Sequence, residues 1–159
     1  MPVRAPGLLP FDGREEDRVS GVGLAVLIGT LVLATAVGLV LRARSGRLRT
    51  GGGASGGWRL AGTAPGADDR VLLLQLSSPV CTPCRQTSAL LTELAGRRPG
   101  IVHREVDVAE QPGVARELGV MRTPTVVAFD RHGGELLRVS GVPRATELEQ
   151  RLAPALTSA

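Results

Sequence analysis

The sequence predicts an α/β fold, a mixed sheet covered by helices on both faces, preceded by one transmembrane helix. Three observations lead to this prediction. Residues 21–41 carry no charge. Strand-like and helix-like patterns alternate from residue 71 onward. Both cysteines lie where the first of those strands gives way to a helix. The 159 residues are enough for one ordinary domain with additional segments.

The uncharged segment 21–41 has the length of a membrane span. At about 1.5 Å per residue its helix would extend about 31 Å, close to the hydrocarbon thickness of about 30 Å. A buried core helix is rarely apolar for so long. A cleaved signal peptide has a shorter apolar region followed by a small-residue cleavage site, whereas L-V-L-R-A-R follows here. We therefore expect an uncleaved single-pass helix in the cell membrane.

Arginines on both sides of this segment bear on its orientation. Four lie within the eight residues that follow it, and three precede it, together with the terminal amine: Arg42, Arg44, Arg47 and Arg49 after it, and Arg4, Arg14 and Arg18 before it. Because cytoplasmic flanks carry the excess of basic residues, the C-terminal side is expected to face the cytoplasm. An extracytoplasmic domain is the alternative.

The segments around the membrane helix are polar or rich in glycine. Residues 1–20 are rich in Pro, Gly and charge, which predicts a disordered tail. Residues 42–57 have the composition of an Arg/Gly-rich linker without apolar periodicity. The folded domain is expected to occupy residues 58–159.

Within that domain the apolar pattern predicts the element order β-α-β-α-β-β-α. A continuous apolar run predicts a buried strand, alternation predicts further strands, and leucines spaced three to four apart predict helices. A four-residue turn joins the last two strands. The predicted strands are 71–76, 101–108, 125–130 and 135–140, and the predicted helices are 82–96, 111–118 and 144–156.

Composition argues against two classes of function. All 19 basic residues are arginines in scattered positions, and aromatic residues are scarce, so a nucleic-acid surface is not predicted. Two cysteines are too few for a disulfide scaffold. His103 and His132 lack the spacing that would complete a four-ligand zinc site. We expect no metal site and no cofactor.

The segment C-T-P-C places Cys81 at a strand-to-helix junction and Cys84 one turn later. A helix N-terminus stabilises a thiolate, the reactive form of cysteine. Pro83 suits an early helical position because the missing N–H has no partner there. The expected chemistry is thiol–disulfide exchange, with Cys81 attacking and Cys84 resolving. A chance pair of small buried residues is the alternative.

These residues resemble the thioredoxin family over about residues 70–156, which implies a thioredoxin-like fold. C-T-P-C is similar to the family's C-G-P-C, and R-T-P-T (122–125) to the segment that ends in the family's cis-proline. The resemblance implies a cis bond before Pro124, substrate contacts at Thr123 and Pro124, and further contacts at Val80 and Gly141. A proline at a strand start is the alternative interpretation of Pro124.

Three departures from the family pattern concern proton transfer and the partner surface. Gln75 stands where the resemblance implies a buried aspartate, and His103 where it implies a lysine in the next strand. The aromatic residues before the cysteine pair are replaced by S-S-P-V. Because a neutral amide is not a general base, we expect proton transfer near Gln75 to use water or His103.

Three functional hypotheses follow. The first is a membrane-anchored thiol–disulfide oxidoreductase, similar in architecture to TlpA-like proteins, with protein thiols or disulfides as substrates and a separate electron donor. The second is a redox-inactive or sensory thioredoxin-like module that holds a membrane partner. The third is a metal carrier that uses the two thiols and a histidine.

Overall fold

The computed structural model describes the backbone of residues 14–44, 48–50 and 56–157 and the side chains of residues 21–40 and 56–157. The chain divides into two units between Arg42 and Ala43. The first contains all but the last two residues of helix α1, Arg14–Arg44, whose side chains from residue 21 to residue 40 are exposed. Its stretch Gly21–Val40 has the length and composition of a membrane span, a test that a signal sequence also passes.

Helix α1 is longer than the sequence pattern indicated. It begins seven residues before residue 21, within the tail predicted to be disordered, and ends at Arg44, within the predicted linker. Arginine and glutamate are good helix formers, and no Gly or Pro interrupts residues 14–20, so the polar flank continues the helix. Residues 1–13 lie outside the described part of the chain.

The second unit is built around a five-stranded mixed sheet in the order β1-β5-β4-β2-β3. Strand β3 runs parallel to β2, and the other pairings are antiparallel. The predicted alternation of strands and helices is confirmed, with each boundary moved by at most one residue. The elements are β1 Leu48–Thr50, α2 Gly57–Leu60, β2 Val71–Ser77, α3 Thr82–Arg97, β3 Ile101–Asp107, α4 Pro112–Glu117, β4 Thr125–Asp130, β5 Glu135–Ser140 and α5 Ala145–Thr157.

Strand β2 lies inside the sheet, between β4 and β3, and all seven of its residues are buried. A strand covered on both faces needs apolar side chains pointing both ways, which explains the continuous run V-L-L-L before Gln75. On one face, residues such as Leu73 pack with leucines of α3 and α5. On the other face, Leu72 and its neighbours pack with Trp58 of α2 and with Leu118 after α4.

Helix α2 lies directly on this second face because Gly57 has no side chain. A Cβ atom built at Gly57 would fall 2.1 Å from the ring of Phe129. The Trp58 indole N–H donates a hydrogen bond of 2.8 Å to the carbonyl oxygen of Asp130. The single tryptophan therefore closes the core over β4 with its polar atom satisfied.

Strand β1 lies inside the segment predicted to be an Arg/Gly linker. Its Leu48 is opposite Val139 of β5 in antiparallel register. Without β1, strand β5 would form the edge of the sheet with unpaired backbone groups, and such an edge accepts a neighbouring strand through backbone hydrogen bonds. Pairing of this kind requires little of the side chains, so the sequence pattern gave no sign of it.

Candidate active site

The two cysteines lie where β2 leads into α3, as predicted. Cys81 is the N-cap of α3, and its Sγ accepts a hydrogen bond of 3.1 Å from the backbone N–H of Cys84. The two residues are joined by a disulfide, with their Cα atoms 5.2 Å apart. Cys81 is partly exposed, whereas Cys84 is only 2% exposed.

This arrangement gives the two sulfur atoms different chemistry. The free N–H groups and the dipole of the 16-residue helix α3 stabilise negative charge on the Cys81 sulfur once the disulfide is reduced. The Cys84 sulfur is shielded from solvent and accessible to a neighbouring sulfur. Cys81 therefore has the position of an attacking thiol, and Cys84 that of a resolving thiol.

In front of the disulfide, two loops leave the same edge of the sheet. The peptide bond between Thr123 and Pro124 is cis, which confirms the prediction. The Thr123 hydroxyl lies 3.3 Å from the Ser78 hydroxyl in the loop that leads to Cys81. Gly141 donates its N–H to the carbonyl oxygen of Pro124 at 2.7 Å, with a φ of 94° that favours glycine.

Exposed apolar side chains surround this front. Val80 is 92% exposed, Met121 is 96% exposed and Val142 is 37% exposed. Each is within two residues of one of the predicted site residues Cys81, Thr123 and Gly141. Sequence reasoning selected Val80 but missed Met121 and Val142. Their position beside site residues in the chain was the only available sign, because loop residues have no periodicity.

Behind the disulfide, Gln75 is completely buried and hydrogen-bonded through its amide nitrogen. The Nε2 atom donates toward the Ser77 hydroxyl at 2.7 Å, the Cys84 carbonyl oxygen at 3.0 Å and a Glu105 carboxylate oxygen at 3.2 Å. The other Glu105 oxygen accepts a hydrogen bond of 2.8 Å from the Ser88 hydroxyl. We call the side chains of Gln75, Ser77, Ser88 and Glu105 the rear network.

The groups that accept hydrogen bonds from Gln75 fix the orientation of its amide. The Cys84 carbonyl and the Glu105 carboxylate accept hydrogen bonds only, so the nitrogen side of the amide must face them. The Oε1 atom of Gln75 is then buried without a hydrogen-bond partner among the described residues. The rear network therefore holds a neutral amide against Cys84 and leaves an acceptor available beside it.

His103, which the sequence suggested as a route for proton transfer, does not lie opposite Gln75. In the parallel register of β2 and β3, the residue opposite Gln75 is Glu105, while His103 is opposite Leu73. The Nδ1 atom of His103 lies 3.2 Å from the Thr92 hydroxyl, near the middle of α3. The carboxylate of Glu105, which sequence reasoning missed, is thus the ionisable group in contact with Gln75.

Burial sets the protonation of His103. Desolvation is the largest influence and lowers the pKa of its imidazole below the usual value; the Glu105 carboxylate acts in the opposite direction, and the Arg104 guanidinium lowers the pKa further. The Nε2 atom is buried without a hydrogen-bond partner among the described residues. These features favour a neutral imidazole packed against α3.

Among the residues described in the structure, no group of three or more His, Cys, Asp or Glu side chains has the arrangement of a metal site. The two sulfur atoms are bonded to each other, and His103 contacts α3 instead of the cysteines.

The fold and the CxxC pair at disulfide distance define a thioredoxin-like redox protein. The thioredoxin family model matches residues 66–154, and the chain belongs to the thioredoxin family. Its CxxC pair is consistent with thiol–disulfide oxidoreductase activity.

Individual relatives match the same region. Thioredoxin H5 of Oryza sativa subsp. japonica is 35% identical over 72 residues, which are 45% of this chain and 53% of that protein. The SPbeta prophage-derived thioredoxin-like protein YosR of Bacillus subtilis is 32% identical over 80 residues, 50% of this chain and 92% of that protein. The chain spans about half the length of the rice relative.

A solved structure is similar in fold. A mutant thioredoxin from Halobacterium salinarum superimposes with a TM-score of 0.52 at 23% identity, over 57% of this chain and 79% of that one. At this identity the likeness establishes the fold alone.

Proposed function

We propose that the chain is a membrane-anchored thiol–disulfide oxidoreductase that exchanges disulfides with protein substrates through Cys81 and Cys84. The observation that carries the proposal is the position of Cys81, a partly exposed helix N-cap whose sulfur accepts the N–H of buried Cys84. A structural cross-link does not need an exposed sulfur at a helix N-terminus, since a bridge across three residues closes a very short loop.

In the reducing direction, the Cys81 thiolate attacks one sulfur of a substrate disulfide. A bond forms between Cys81 and that sulfur, and the other substrate sulfur leaves as a thiolate and is protonated. Cys84 then loses its proton and attacks the Cys81 sulfur. The substrate leaves with two thiols, and the protein holds the Cys81–Cys84 disulfide. The oxidising direction is the reverse sequence, and an electron donor or acceptor resets the pair.

Thr123 and Pro124 are proposed to hold the substrate beside Cys81, with Val80 and Gly141 at the rim. Among the described residues, the backbone N–H and carbonyl of Thr123 make no backbone hydrogen bond. A substrate strand would supply partners for these groups by strand addition. The Ser78 and Thr123 hydroxyls, 3.3 Å apart, tie this loop to the loop that leads to Cys81.

The first experiment compares disulfide exchange by the full chain and by its Cys81→Ser and Cys84→Ser variants. With insulin as substrate and dithiothreitol as reductant, the native chain is expected to accelerate reduction, and Cys81→Ser to abolish this acceleration, since the nucleophile is lost. Redox titration against glutathione measures the same pair at equilibrium. Full activity in the Cys81→Ser variant contradicts the proposal.

A second candidate function, a redox-inactive or sensory binding module, is favoured by one observation: Gln75 supplies no buried general base behind Cys84. Trapping separates the two functions. If exchange operates, Cys84→Ser leaves the mixed disulfide at Cys81 unresolved, and covalent adducts with substrate protein accumulate on non-reducing gels. A binding module retains its partner without covalent adducts in this variant.

The membrane anchor is proposed to be the apolar part of α1, Gly21–Val40. Twenty helical residues extend about 30 Å, and their side chains are exposed, so the segment requires an apolar environment. Flanking arginines favour a cytoplasmic catalytic domain, and an extracytoplasmic domain of TlpA-like orientation is the alternative. A reporter fused to the C-terminus distinguishes the two orientations, and the mass of the mature protein detects cleavage of a signal sequence.

A further inference from the structure

The disulfide lies at the end of the sheet where β2, β3 and β5 end and β4 begins. We call this end of the sheet the disulfide edge. Leu76 at the end of β2 is opposite Thr125 at the start of β4, and Thr125 is opposite Ser140 at the end of β5. Strand β3 is parallel to β2 and ends at the same edge with Asp107. The disulfide therefore lies between a β4–β5 side and a β3 side of this edge.

The β4–β5 side and the first turn of α3 carry basic residues and no acidic residue. The segments 78–85, 119–124 and 141–144 contain Arg85, Arg122 and Arg144, all exposed, without Asp or Glu. Among the residues that the structure describes, none of these three arginines forms an ion pair. We call them the rim arginines.

The N-terminus of α3 adds to this positive charge. Helix α3 begins at Thr82, at this edge, with no acidic residue in its first turn, whereas Glu147 in the first turn of α5 offsets the partial positive charge of that helix. One Arg85 nitrogen donates to the Thr82 hydroxyl at 3.2 Å, which holds the guanidinium over the first turn of α3. The basic charge is thus close to Cys81.

Glu147 follows Arg144 in the first turn of α5, is partly buried, and forms no ion pair with a rim arginine among the described residues. The acidic residues of the β3 side are directed elsewhere. Asp107 accepts the backbone N–H of Ala109 at 2.8 Å. Glu110 lines a cavity of about 440 Å³ together with Arg59 of α2, on the face of the sheet away from α3. The rim arginines are therefore not neutralised by these acids.

Apolar side chains accompany the rim arginines. Met121 precedes Arg122, and Val142 lies two residues before Arg144, both exposed. Together with Val80 they give this half of the edge an apolar and basic character. Exposed apolar groups beside unpaired cations complement a segment that carries apolar and acidic residues.

Resting on the proposed function, we propose that the rim arginines select protein substrates whose reactive cysteine is flanked by apolar and acidic residues. The selection acts on the encounter between substrate and reduced protein, because unpaired exposed charges change association rates more than they change the stability of the complex. It weakens with salt, because the screening length is about 10 Å at 0.1 M and about 3 Å at 1 M.

The experiment uses the full chain in neutral detergent micelles, reduced beforehand and mixed in single turnover with three peptides. The peptides share one internal disulfide and one apolar core, and their flanks carry glutamate, serine or lysine. We expect the second-order rate constant for the acidic peptide to exceed that for the basic peptide about tenfold at low ionic strength. The ratio should approach one at 1 M salt.

Substitutions test whether the rim arginines cause the preference for the acidic peptide. Arg122→Glu and Arg144→Glu are expected to lower the ratio of acidic to basic rate constants severalfold, and the double variant to reverse it. Arg151→Glu, in α5 and away from the edge, makes the same change of net charge at an exposed position and should leave the ratio unchanged.

Equal rates for the three peptides, or an equal change with Arg151→Glu, overturn the charge selection while leaving the oxidoreductase function in place. A chain that reduces none of the peptides overturns the proposed function and the selection together.

Discussion

The front and the rear of the disulfide differ in how closely they follow the family pattern. In front, the bond before Pro124 is cis, as the resemblance to thioredoxin implied, and Gly141 donates its N–H to the Pro124 carbonyl. At the rear, a neutral Gln75 and the carboxylate of Glu105 occupy the space behind Cys84. The difference teaches that the substrate contacts proposed in front and the proton transfer expected at the rear are separable in this fold, because they involve different strands.

The rear network has a neutral amide at its buried position. A buried carboxylate changes charge with pH, but a buried amide keeps the same charge at every pH. The only carboxylate in the rear network is on Glu105, an exposed residue of β3. Three predictions test this difference, in order of decreasing effect.

The largest effect is expected for Gln75→Asp, with Gln75→Asn as the neutral control of the same shape. The new carboxyl would be fully buried beside Glu105, and both influences raise its pKa in the folded state. The folded state then binds the proton more tightly than the unfolded state, so stability falls as pH rises from about 4 through the folded pKa. At pH 8 we expect a loss of about 3 kcal/mol relative to Gln75→Asn.

The measurement is denaturant unfolding of both variants between pH 5 and pH 9. A second variant, Gln75→Asp combined with Glu105→Gln, removes the repulsion and should recover part of the loss at pH 8. If the free energy of unfolding had the same pH dependence in Gln75→Asp and Gln75→Asn, a charge behind Cys84 would cost no stability. The contrast between the two sides of the disulfide would then be contradicted.

A smaller effect is expected for Glu105→Gln alone. The carboxylate accepts hydrogen bonds from Gln75 and Ser88 on its two oxygens. The amide of the variant has one acceptor oxygen, so one bond becomes neutral and the other is lost or reversed in direction. Because Glu105 is exposed to solvent, we expect a loss of about 1 kcal/mol in the free energy of unfolding. The control is Glu110→Gln, an exposed acid outside the rear network. Equal losses in the two variants would contradict a role of Glu105 in fixing the Gln75 amide.

The smallest effect concerns His103→Gln. The folded-state pKa of His103 lies below its unfolded value, chiefly because of burial. The unfolded state therefore binds the proton more readily, and the native chain loses stability as pH falls through about 6.5 toward the folded pKa. The variant should lack this part of the loss when unfolding is compared at pH 8 and pH 5.5. His132→Gln, an exposed histidine, is the control.

The same variant separates stability from exchange. Since Glu105 and not His103 contacts Gln75, we expect the pH dependence of the disulfide-exchange rate to be unchanged in His103→Gln. A shift of the pH–rate profile in His103→Gln would contradict this expectation and would indicate that His103 takes part in proton transfer.

Much of the fold was predictable because its elements leave strong local patterns. The apolar run of β2, the alternation in β3 and the leucine spacing of α3 and α5 each indicated the correct element. Strand β1 was not predictable, since it is paired through backbone groups and its residues L-R-T have no pattern of their own. The start of α1 at Arg14 was also missed, because the charged residues there were interpreted as a disordered tail.

Local chemistry is readable in the sequence when the interacting groups are neighbours in the chain. Cys81, Pro83 and Cys84 fall within four residues, so their placement at a helix N-terminus follows from spacing and helix geometry. The contact between Gln75 and Glu105 joins residues 30 positions apart and depends on the register of β2 against β3. A shift of two residues in that register would bring His103 opposite Gln75, the arrangement that direct proton transfer between the two would require. Packing across the sheet fixes the register, and it thereby decides which ionisable group lies behind Cys84.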